Sequence, residues 1–388
     1  MSRPPRKLLA LVYYLSPGGM EQHALNLARA FHRRGDAVRI GYVEAPVALD
    51  QLDVAGIDVV RIASGNPLLR YGAIGRIARM ARSADLVHCT GWDASAWGRL
   101  AGILARRPVV VTEHSSGDRT TQRTLGIPNR RLIALHNRLL DRGTAATVAV
   151  ANEQLAPLQR EGVAADKLHL IPNGVSLERL RAAAADALAD RAGWRARLGL
   201  PADALVVTQV ARFIPQKRQQ WTYEAVRELR AQLGDVHVLF AGDGPTRAAL
   251  TRTAARDGAD WAHFLGHRDD VPALLAASDL AVLPSAAEAM PMAVIEALAL
   301  GIPQVATEVG DAGLLLRQAG AGIAVGAADQ AGFVAACRTL LSDPVRAAAV
   351  REAATAAAGE FAVERMVARY DELFDAVIAN AARAGATR

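Results

Sequence analysis

The fold prediction starts from residues 278–307, which read SDLAVLPSAAEAMPMAVIEALALGIPQVAT. The apolar run 280–283 is typical of a buried parallel strand, and a polar turn interrupts it. Pro291 suits the first turn of a helix, where its missing N–H costs nothing. Gly301 and Pro303 then end that helix, as they commonly do at helix C-termini, and a second apolar run follows. The segment is therefore predicted to form a strand, a turn, a helix and a second strand.

Two carboxylates stand out in this apolar segment. The predicted helix is apolar on nearly every side and is expected to be buried, yet it carries Glu296, and Glu288 lies just before it. Because helical side chains lean toward the N-terminus, Glu296 reaches toward the end at which Glu288 lies. Buried carboxylates are rare unless they are paired or hydrogen-bonded. Either the two bind a ligand with many hydroxyls, or Glu288 is an ordinary first-turn acid and Glu296 extends to solvent.

Strands and helices alternate along the rest of the chain, which predicts an α/β fold with parallel sheets and crossover helices. A length of 388 residues favours two domains. We place them at residues 1–180 and 181–365, connected through the segment 176–199, and expect the helix at about 366–388 to pack back onto the first domain. Besides the two strands above, the predicted strands are 7–14, 37–43, 58–62, 86–89, 108–113, 145–150, 168–171, 204–211, 236–241, 262–265 and 321–325.

Charge is distributed unevenly between the two halves. Residues 1–190 hold 25 Lys and Arg against 17 Asp and Glu, whereas residues 191–388 hold 20 against 22. The basic half favours an anionic acceptor or a membrane surface, although an arginine-rich solvated surface gives the same composition. The predicted helix 130–142 carries apolar residues opposite its charges, so it suits either peripheral contact with an anionic membrane or packing on its own domain.

The composition also indicates a compartment. Cys89 and Cys337 lie far apart without metal-ligand spacing, which fits a cytoplasmic protein. The apolar run near the N-terminus leads into a helical pattern, so a first strand is expected rather than a signal peptide. No stretch approaches the roughly 20 apolar residues of a membrane span. We therefore expect a cytoplasmic protein, with peripheral association at the inner face of the membrane as an alternative.

Two groups of candidate ligand-binding residues follow predicted strands, at the sheet edge where open α/β folds bind ligands. The run Pro17-Gly18-Gly19 lets a backbone approach an anion at a helix N-terminus, although Gly-Gly is also a common turn. Arg212 and Lys217 come before another predicted helix, where an arginine fork and a lysine point charge suit a diphosphate. An exposed arginine and lysine with no ligand are the alternative.

A third candidate, His114, follows the strand 108–113 and could serve as a proton or hydroxyl partner or as a structural histidine. The run Gly242-Asp243-Gly244-Pro245 begins like a dinucleotide fingerprint. Because Arg247 replaces its third glycine, we predict a tight turn, and an NAD-dependent oxidoreductase is disfavoured. The sequence contains no Asp-x-Asp after a strand, no Gly-x-Ser-x-Gly and no P-loop.

In combination these motifs resemble the retaining glycosyltransferases of family 4, which have the GT-B architecture of two Rossmann-like domains facing each other across a cleft. The resemblance extends over nearly the whole chain, and its most specific element is the pair Glu288 and Glu296, separated by seven residues. The motifs, in the order typical of the family, occupy residues 17–21, 171–175, 210–217, 239–245, 264–266 and 284–307.

The resemblance implies a hexosyltransferase (EC 2.4) that moves a sugar from a UDP- or GDP-sugar to an acceptor hydroxyl, with retention of configuration and without a metal ion or other cofactor. It implies that Arg212 and Lys217 neutralise the diphosphate, that Glu296 binds the ribose and that Glu288 binds the donor sugar. Catalytic roles are implied for His114, near the reacting carbon, and for Arg212, Lys217 and Glu288. The other positions implied to bind the donor are Gly18, Gly19, Gly266, His267, Ala289, Met290 and Pro291.

Three residues depart from the family pattern. Ala289 stands where glycine is usual after the first glutamate, Ser176 stands in place of aspartate, and Gln304 interrupts an all-apolar strand. The change at Ala289 bears on the fit of the donor sugar.

The acceptor stays open between a surface polysaccharide or glycolipid and a small soluble or natural-product molecule. We expect a bacterial enzyme without a nucleic-acid partner. A non-catalytic nucleotide-sugar binder is a further alternative, which the carboxylate pair and the two cations disfavour.

Overall fold

The computed structural model describes residues 4–15, 19–45, 52, 54–62, 70–114 and 138–386. The chain folds into two compact units: unit 1 comprises Met1–Asn173 and Glu364–Arg388, and unit 2 comprises Gly174–Val363. The first division falls between Asn173 and Gly174, in a segment without regular structure, whereas it was predicted near residue 180. The predicted helix 130–142 is described only from residue 138 onward.

Unit 1 is built on a sheet whose described strands all run parallel, in the order β3-β2-β1-β4-β5-β6-β7. The strands are β1 Lys7–Tyr14, β2 Ala37–Glu44, β3 Asp58–Arg61, β4 Leu86–Thr90, β5 Val109–Glu113, β6 Thr144–Ala149 and β7 Leu168–Leu170. The helices of this part are α1 Gly19–Arg33, α2 Arg70–Arg82, α3 Trp92–Ala105 and α4 Leu155–Arg160.

Unit 2 contains a second parallel sheet, in the order β10-β9-β8-β11-β12-β13. The strands are β8 Leu205–Val210, β9 Val236–Ala241, β10 Ala262–Gly266, β11 Leu280–Leu283, β12 Gln304–Thr307 and β13 Gly322–Val325. The helices are α5 Leu177–Ala189, α6 Arg191–Arg197, α7 Gln219–Leu233, α8 Arg247–Arg256, α9 Val271–Ala276, α10 Met292–Ala299, α11 Ala312–Ala319, α12 Gln330–Ser342 and α13 Pro344–Ala357. Two parallel sheets with crossover helices confirm the predicted α/β class.

The last helix, α14 Val363–Ala386, lies in unit 1 from Glu364 onward. The Arg6 guanidinium, which is buried, donates to the carboxylates of Asp36 at 2.9 Å, Asp371 at 2.6 Å and Asp375 at 2.9 Å. Arg6 thereby joins the start of β1 to two turns of α14. A buried charge is tolerated only when it is paired in this way, so these contacts fix where the C-terminal helix packs.

The segment 176–199, where the sequence placed the domain connection, forms α5 and α6 within unit 2. Ser176 caps α5 by accepting a hydrogen bond from the Arg179 N–H at 3.3 Å, so it fulfils the capping function of the usual aspartate. Arg195 is buried and its Nη2 donates to Asp279 at 2.7 Å, just before β11. The segment is therefore a packed part of the second unit.

Both sheets reverse their strand order at one point, between β1 and β4 in unit 1 and between β8 and β11 in unit 2. At such a switch point the loops leave neighbouring strands in opposite directions, and ligands bind in the crevice that this opens. In unit 2 the loops that follow the two strands are residues 211–218 and 284–291. These loops contain Arg212, Lys217 and Glu288.

Within the described part of the chain, no helix is long and apolar enough to cross a membrane.

Candidate active site

The first loop at the unit 2 switch point is tied to the second by one residue, Gln216. Its carbonyl accepts a hydrogen bond from the Ala286 N–H at 2.8 Å, and its side-chain amide donates to the Ala287 carbonyl at 2.5 Å. Gln209 on β8 donates to the Lys217 carbonyl at 2.7 Å, and this bond fixes the same loop to the strand. Gln216 was not among the predicted site residues, because a glutamine in a loop carries no recognisable signature.

This tie places Lys217 beside Glu288, 71 positions further along the chain. The Lys217 Nζ donates to Glu288 Oε1, and their side chains are only 17% and 8% exposed. Glu288 can lie in an apolar segment because a buried carboxylate is tolerated when a cation pairs with it. The structure thus brings together the lysine and the first glutamate that the sequence predicted separately.

The backbone around Glu288 is also arranged by specific contacts. The Ala289 carbonyl accepts from the Asp311 N–H at 2.8 Å, and Gly310 lies so close that an added Cβ would be 2.3 Å from that carbonyl oxygen. The N–H groups of Glu288 and Ala289 have no hydrogen-bond partner among the described residues. Two free amides beside a helix N-terminus can donate to an anion or to sugar hydroxyls.

Ala289, Met290 and Pro291 are buried between this turn and α10. Pro291 is the residue before the helix rather than part of its first turn, since α10 begins at Met292 and Pro291 has an extended ψ of 120°. The predicted placement in the first turn was wrong by one position. Gln304, the departure on β12, is buried and donates to the Val294 carbonyl at 3.0 Å, so it joins that strand to α10.

Glu296 lies in α10 with some of its side chain accessible. Desolvation by the apolar helix around it raises the pKa of Glu296 to about 7. The carboxyl group is therefore partly protonated at neutral pH and can donate to a hydroxyl as well as accept from one. The raised pKa also makes the stability of the protein depend on pH.

Replacing Glu296 with Gln is expected to stabilise the protein at about pH 8 and not at about pH 5. Because the folded-state pKa of about 7 exceeds the ordinary carboxyl value of 4.5, the folded chain keeps a proton that the unfolded chain has lost, and stability falls as the pH rises through this window. The full penalty, which is reached above pH 7, is on the order of 3 kcal/mol. Glutamine does not titrate, so it removes the penalty.

The measurement is the Tm of both proteins across this pH range, with the exposed Glu372→Gln as the control. The difference between the Glu296 variant and the wild type should grow with pH, whereas the control difference should stay flat. A difference that is the same at every pH would show that Glu296 ionises normally.

Arg212 is exposed in the 211–213 segment and has no ion-pair partner among the described residues. The glycine run after β9, residues 242–245, contacts this segment through its backbone. The Phe213 N–H donates to the Asp243 carbonyl at 2.8 Å. A Cβ added to Gly242, which has a φ of 140°, would lie 2.0 Å from the Ala211 oxygen. The start of the run is irregular and in close backbone contact, and the predicted tight turn lies at its end, where the Arg247 N–H donates to the Gly244 carbonyl at 3.1 Å.

Gly266 is the last residue of β10 and His267 follows it, at the end of a strand two places from β8 in the sheet. Gly266 has a φ of 72°, and the nearby Arg247 donates to the Phe264 carbonyl at 3.0 Å. His267 is exposed, with Nε2 3.4 Å from Asp269. Arg247, the residue that breaks the dinucleotide fingerprint, therefore secures the end of β10.

In unit 1, Pro17 and Gly18 lie outside the described residues, and α1 begins at Gly19. Glu21 in the first turn of α1 is buried. His23, one turn into the same helix, was not among the predicted site residues. The structure places its ring against that of His114, which follows β5, with the centroids 4.6 Å apart and edge to face.

These rings belong to a buried cluster of three histidines. Thr112 Oγ1 lies 2.8 Å from both His88 Nε2 and the Tyr370 hydroxyl of α14. Burial lowers the pKa of His23 to about 4 and that of His88 to about 3. Burial also holds the pKa of His114 well below its ordinary value, and the neighbouring His23 and His88 add to the effect. All three are neutral at pH 7.

His114 Nε2 is buried and has no hydrogen-bond partner among the described residues. A buried unpartnered ring nitrogen is costly unless a ligand or water satisfies it. A neutral imidazole at the end of a strand can form a hydrogen bond to a sugar hydroxyl without adding charge. The location is the one predicted, and the neutrality of the ring comes from neighbours that no local pattern reveals.

The switch point of unit 2, with a lysine–glutamate pair and an arginine that has no ion-pair partner among the described residues, suits an anionic, hydroxyl-rich ligand. The sequence profile of glycosyltransferase family 4 matches residues 17–179, and that of glycosyl transferases group 1 matches residues 204–343. The chain belongs to this family of glycosyltransferases, as the sequence analysis predicted, and its donor is a nucleotide-sugar.

Individual relatives agree with this assignment. The D-inositol 3-phosphate glycosyltransferase of Salinispora arenicola is 27% identical over 97% of this chain and 93% of its own length. The UDP-Gal:alpha-D-GlcNAc-diphosphoundecaprenol alpha-1,3-galactosyltransferase of Escherichia coli is 28% identical over 67% of each chain. Among solved structures, Anabaena HepE in complex with UDP-glucose superposes with a TM-score of 0.81 at 23% identity, over 96% of this chain and 100% of its own. The GT-B fold is thereby confirmed.

Proposed function

We propose that the protein transfers a hexosyl group from a UDP-sugar to an acceptor hydroxyl, with retention of configuration and without a metal ion. The observation that carries the proposal is the Lys217–Glu288 pair at the unit 2 switch point, with Arg212 exposed on the adjoining loop. UDP is favoured over GDP because the HepE structure contains UDP-glucose and the Escherichia coli relative is named for UDP-Gal.

In this proposal Lys217 and Arg212 bind the diphosphate. The bond between the anomeric carbon and the phosphate oxygen breaks, and negative charge grows on the departing UDP. Fixed cations stabilise that charge where it develops, which is the role that a divalent metal has in other transferases. The acceptor oxygen bonds to the anomeric carbon on the same face, and its proton passes to the departing phosphate oxygen.

Glu288 and the free amides beside it are proposed to bind the hydroxyls of the donor sugar, and Glu296 the ribose. Ala289 adds a methyl group at this turn, and its position next to Gly310 leaves the backbone little room to move. The choice of sugar is therefore expected to depend on Ala289. The same proposal includes a contact of neutral His114 with the sugar near its reacting carbon. It also includes contacts with the donor by Gly18, Gly19, Gly266, His267, Met290 and Pro291.

The proposed acceptor is a sugar on a surface polysaccharide or glycolipid, which the undecaprenol-linked substrate named for the Escherichia coli relative supports. A small phosphorylated polyol is the second candidate, because the Salinispora arenicola relative is named for D-inositol 3-phosphate. The basic excess of residues 1–190 suits a diphosphate-linked lipid and a phosphorylated polyol alike, since both carry phosphate. A bacterial, cytoplasmic enzyme, in peripheral contact with the membrane when the acceptor is lipid-linked, completes the proposal.

The test is a thermal-shift series with UDP-, GDP- and ADP-sugars in the presence of EDTA, followed by NMR of the product. A ligand bound only by the folded state raises Tm, and UDP-sugars are expected to raise it most. The anomeric coupling of the product should match that of the donor. An inverted product would contradict retention, loss of activity in EDTA would contradict metal independence, and no Tm shift with any donor would contradict the assigned site.

A further inference from the structure

The C-terminal helix α14 places a tyrosine, Tyr370, among the buried histidines of unit 1. Its ring centroid lies 5.4 Å from that of His23 and 5.6 Å from that of His88, and its hydroxyl lies 2.8 Å from Thr112 Oγ1. One turn further along α14, Phe374 packs against the same His88 ring without a hydroxyl. Packing alone therefore does not require a tyrosine at position 370, and its fully buried hydroxyl needs another explanation.

The hydroxyl of Tyr370 completes a chain of hydrogen bonds through Thr112. Thr112 Oγ1 lies 2.8 Å from His88 Nε2 as well, and a hydroxyl can donate to one neighbour while it accepts from the other. Burial keeps His88 neutral by lowering its pKa to about 3, and it keeps the phenol of Tyr370 protonated by raising its pKa. The chain is thus uncharged, and it joins α14 to the strands β5 and β4.

This chain ends close to the proposed sugar contact, His114. Thr112 lies in β5, and His114 directly follows the last residue of that strand. The ring of His23 forms a second connection, because its centroid lies 4.6 Å from that of His114 and 5.4 Å from that of Tyr370. Tyr370 therefore contacts two residues that bear on His114, one along the strand and one across from it on α1.

We infer that Tyr370 is a positioning residue for His114. Its hydroxyl fixes Thr112 at the end of β5, its ring supports His23, and these two residues set where the imidazole of His114 lies. Because His114 Nε2 has no hydrogen-bond partner among the described residues, its orientation depends on this packing before a ligand binds. The inference rests on the proposed contact of His114 with the donor sugar, and it gives the C-terminal helix a part in arranging that contact.

The test compares Tyr370→Phe, which removes only the hydroxyl, with the matched control Tyr223→Phe. Tyr223 is also buried and its hydroxyl donates to Asp257 at 2.8 Å, but it belongs to unit 2. Tyr370→Phe is expected to lower kcat by about tenfold with little change in the KM of the donor, because a group displaced near the reacting carbon affects mainly the transition state. Thr112→Val removes the other end of the same hydrogen bond and should act alike, whereas the control should keep the wild-type kcat.

Two further measurements separate positioning from a general loss of stability. In the background of His114→Ala, Tyr370→Phe should cause no additional loss of kcat, because its effect passes through a ring that is no longer there. NMR of the histidine rings, in protein labelled with nitrogen-15 histidine, reports on the ring directly. The signal of His114, assigned by its absence from the alanine variant, should be displaced by Tyr370→Phe and not by Tyr223→Phe.

Three results would overturn the inference: an unchanged His114 signal in Tyr370→Phe, an unchanged kcat in that variant, or an equal loss of kcat with and without His114. A control that loses as much kcat as Tyr370→Phe would also do so, since any buried hydroxyl would then have the same effect. If His114→Ala itself reacts like the wild type, the proposed role of His114 in the reaction fails. The ring signal then decides by itself whether Tyr370 places the imidazole.

Discussion

Replacing Lys217 with Ala is expected to lower kcat/KM roughly 30- to 900-fold, which corresponds to a loss of about 2–4 kcal/mol of transition-state stabilisation. Its ammonium is held at the switch point by the Gln216 contacts and by Glu288, so in the proposed reaction it is in place before charge grows on the departing diphosphate. A cation fixed before the reaction stabilises the transition state without paying for reorganisation, and this is where electrostatic catalysis gains most. Steady-state kinetics with the preferred donor measure the effect.

The variant also removes the partner of a buried carboxylate, so stability and catalysis have to be separated. Glu288 without its cation is expected to lower Tm, and the double variant Lys217→Ala with Glu288→Gln should recover Tm without recovering kcat/KM. Lys167→Ala is the matched control, because Lys167 also donates to a buried partner, the Asp141 carbonyl at 2.7 Å, but belongs to unit 1. A Lys217→Ala rate close to that of the wild type would exclude Lys217 from the chemistry.

Much of the architecture could be predicted from the sequence, because parallel strands buried on both faces form short apolar runs with clear ends. The segment 278–307 shows this: its two strands and the helix between them occur where the pattern predicted them, with an error of one residue at Pro291. The side chains at the switch point could also be named, since they follow strands directly. What the pattern does not contain is which strands are neighbours in the sheet.

The rest of the candidate site depends on those neighbours. Glu288 is paired with Lys217 only because β8 and β11 are adjacent, which sets two loops 71 positions apart against each other. Likewise the pKa of His114 is lowered by burial in the folded unit and, to a smaller extent, by His23 and His88, which belong to a helix and a strand that are distant in sequence. Contacts of this kind follow from sheet order and register, and a single sequence specifies these only through the complete fold.

The glycine run after β9 provides the second large effect. Gly242→Ala is expected to destabilise the protein by about 2–4 kcal/mol, because its Cβ would lie 2.0 Å from the Ala211 oxygen and its φ of 140° disfavours any side chain. Relief requires the 211–213 segment to move away from the strand end, and Arg212 moves with it. Misplacing a catalytic cation by about 1 Å can cost roughly a hundredfold in rate, so kcat/KM should fall by at least tenfold.

The matched control is Gly258→Ala, since Gly258 also has a positive φ, 62°, but a Cβ there would meet no atom within 4 Å. It should cost only the backbone strain, about 1–2 kcal/mol, and leave kcat/KM unchanged when both variants are assayed well below their Tm. If both variants lower the free energy of unfolding equally and neither lowers kcat/KM, the glycine run is needed only for its own backbone conformation. We expect that only Gly242→Ala lowers kcat/KM. That result would show that the close backbone contact between residues 242 and 211 holds Arg212 at the carboxyl edge of β8. The glycines after β9 would then affect catalysis through the loop that they support.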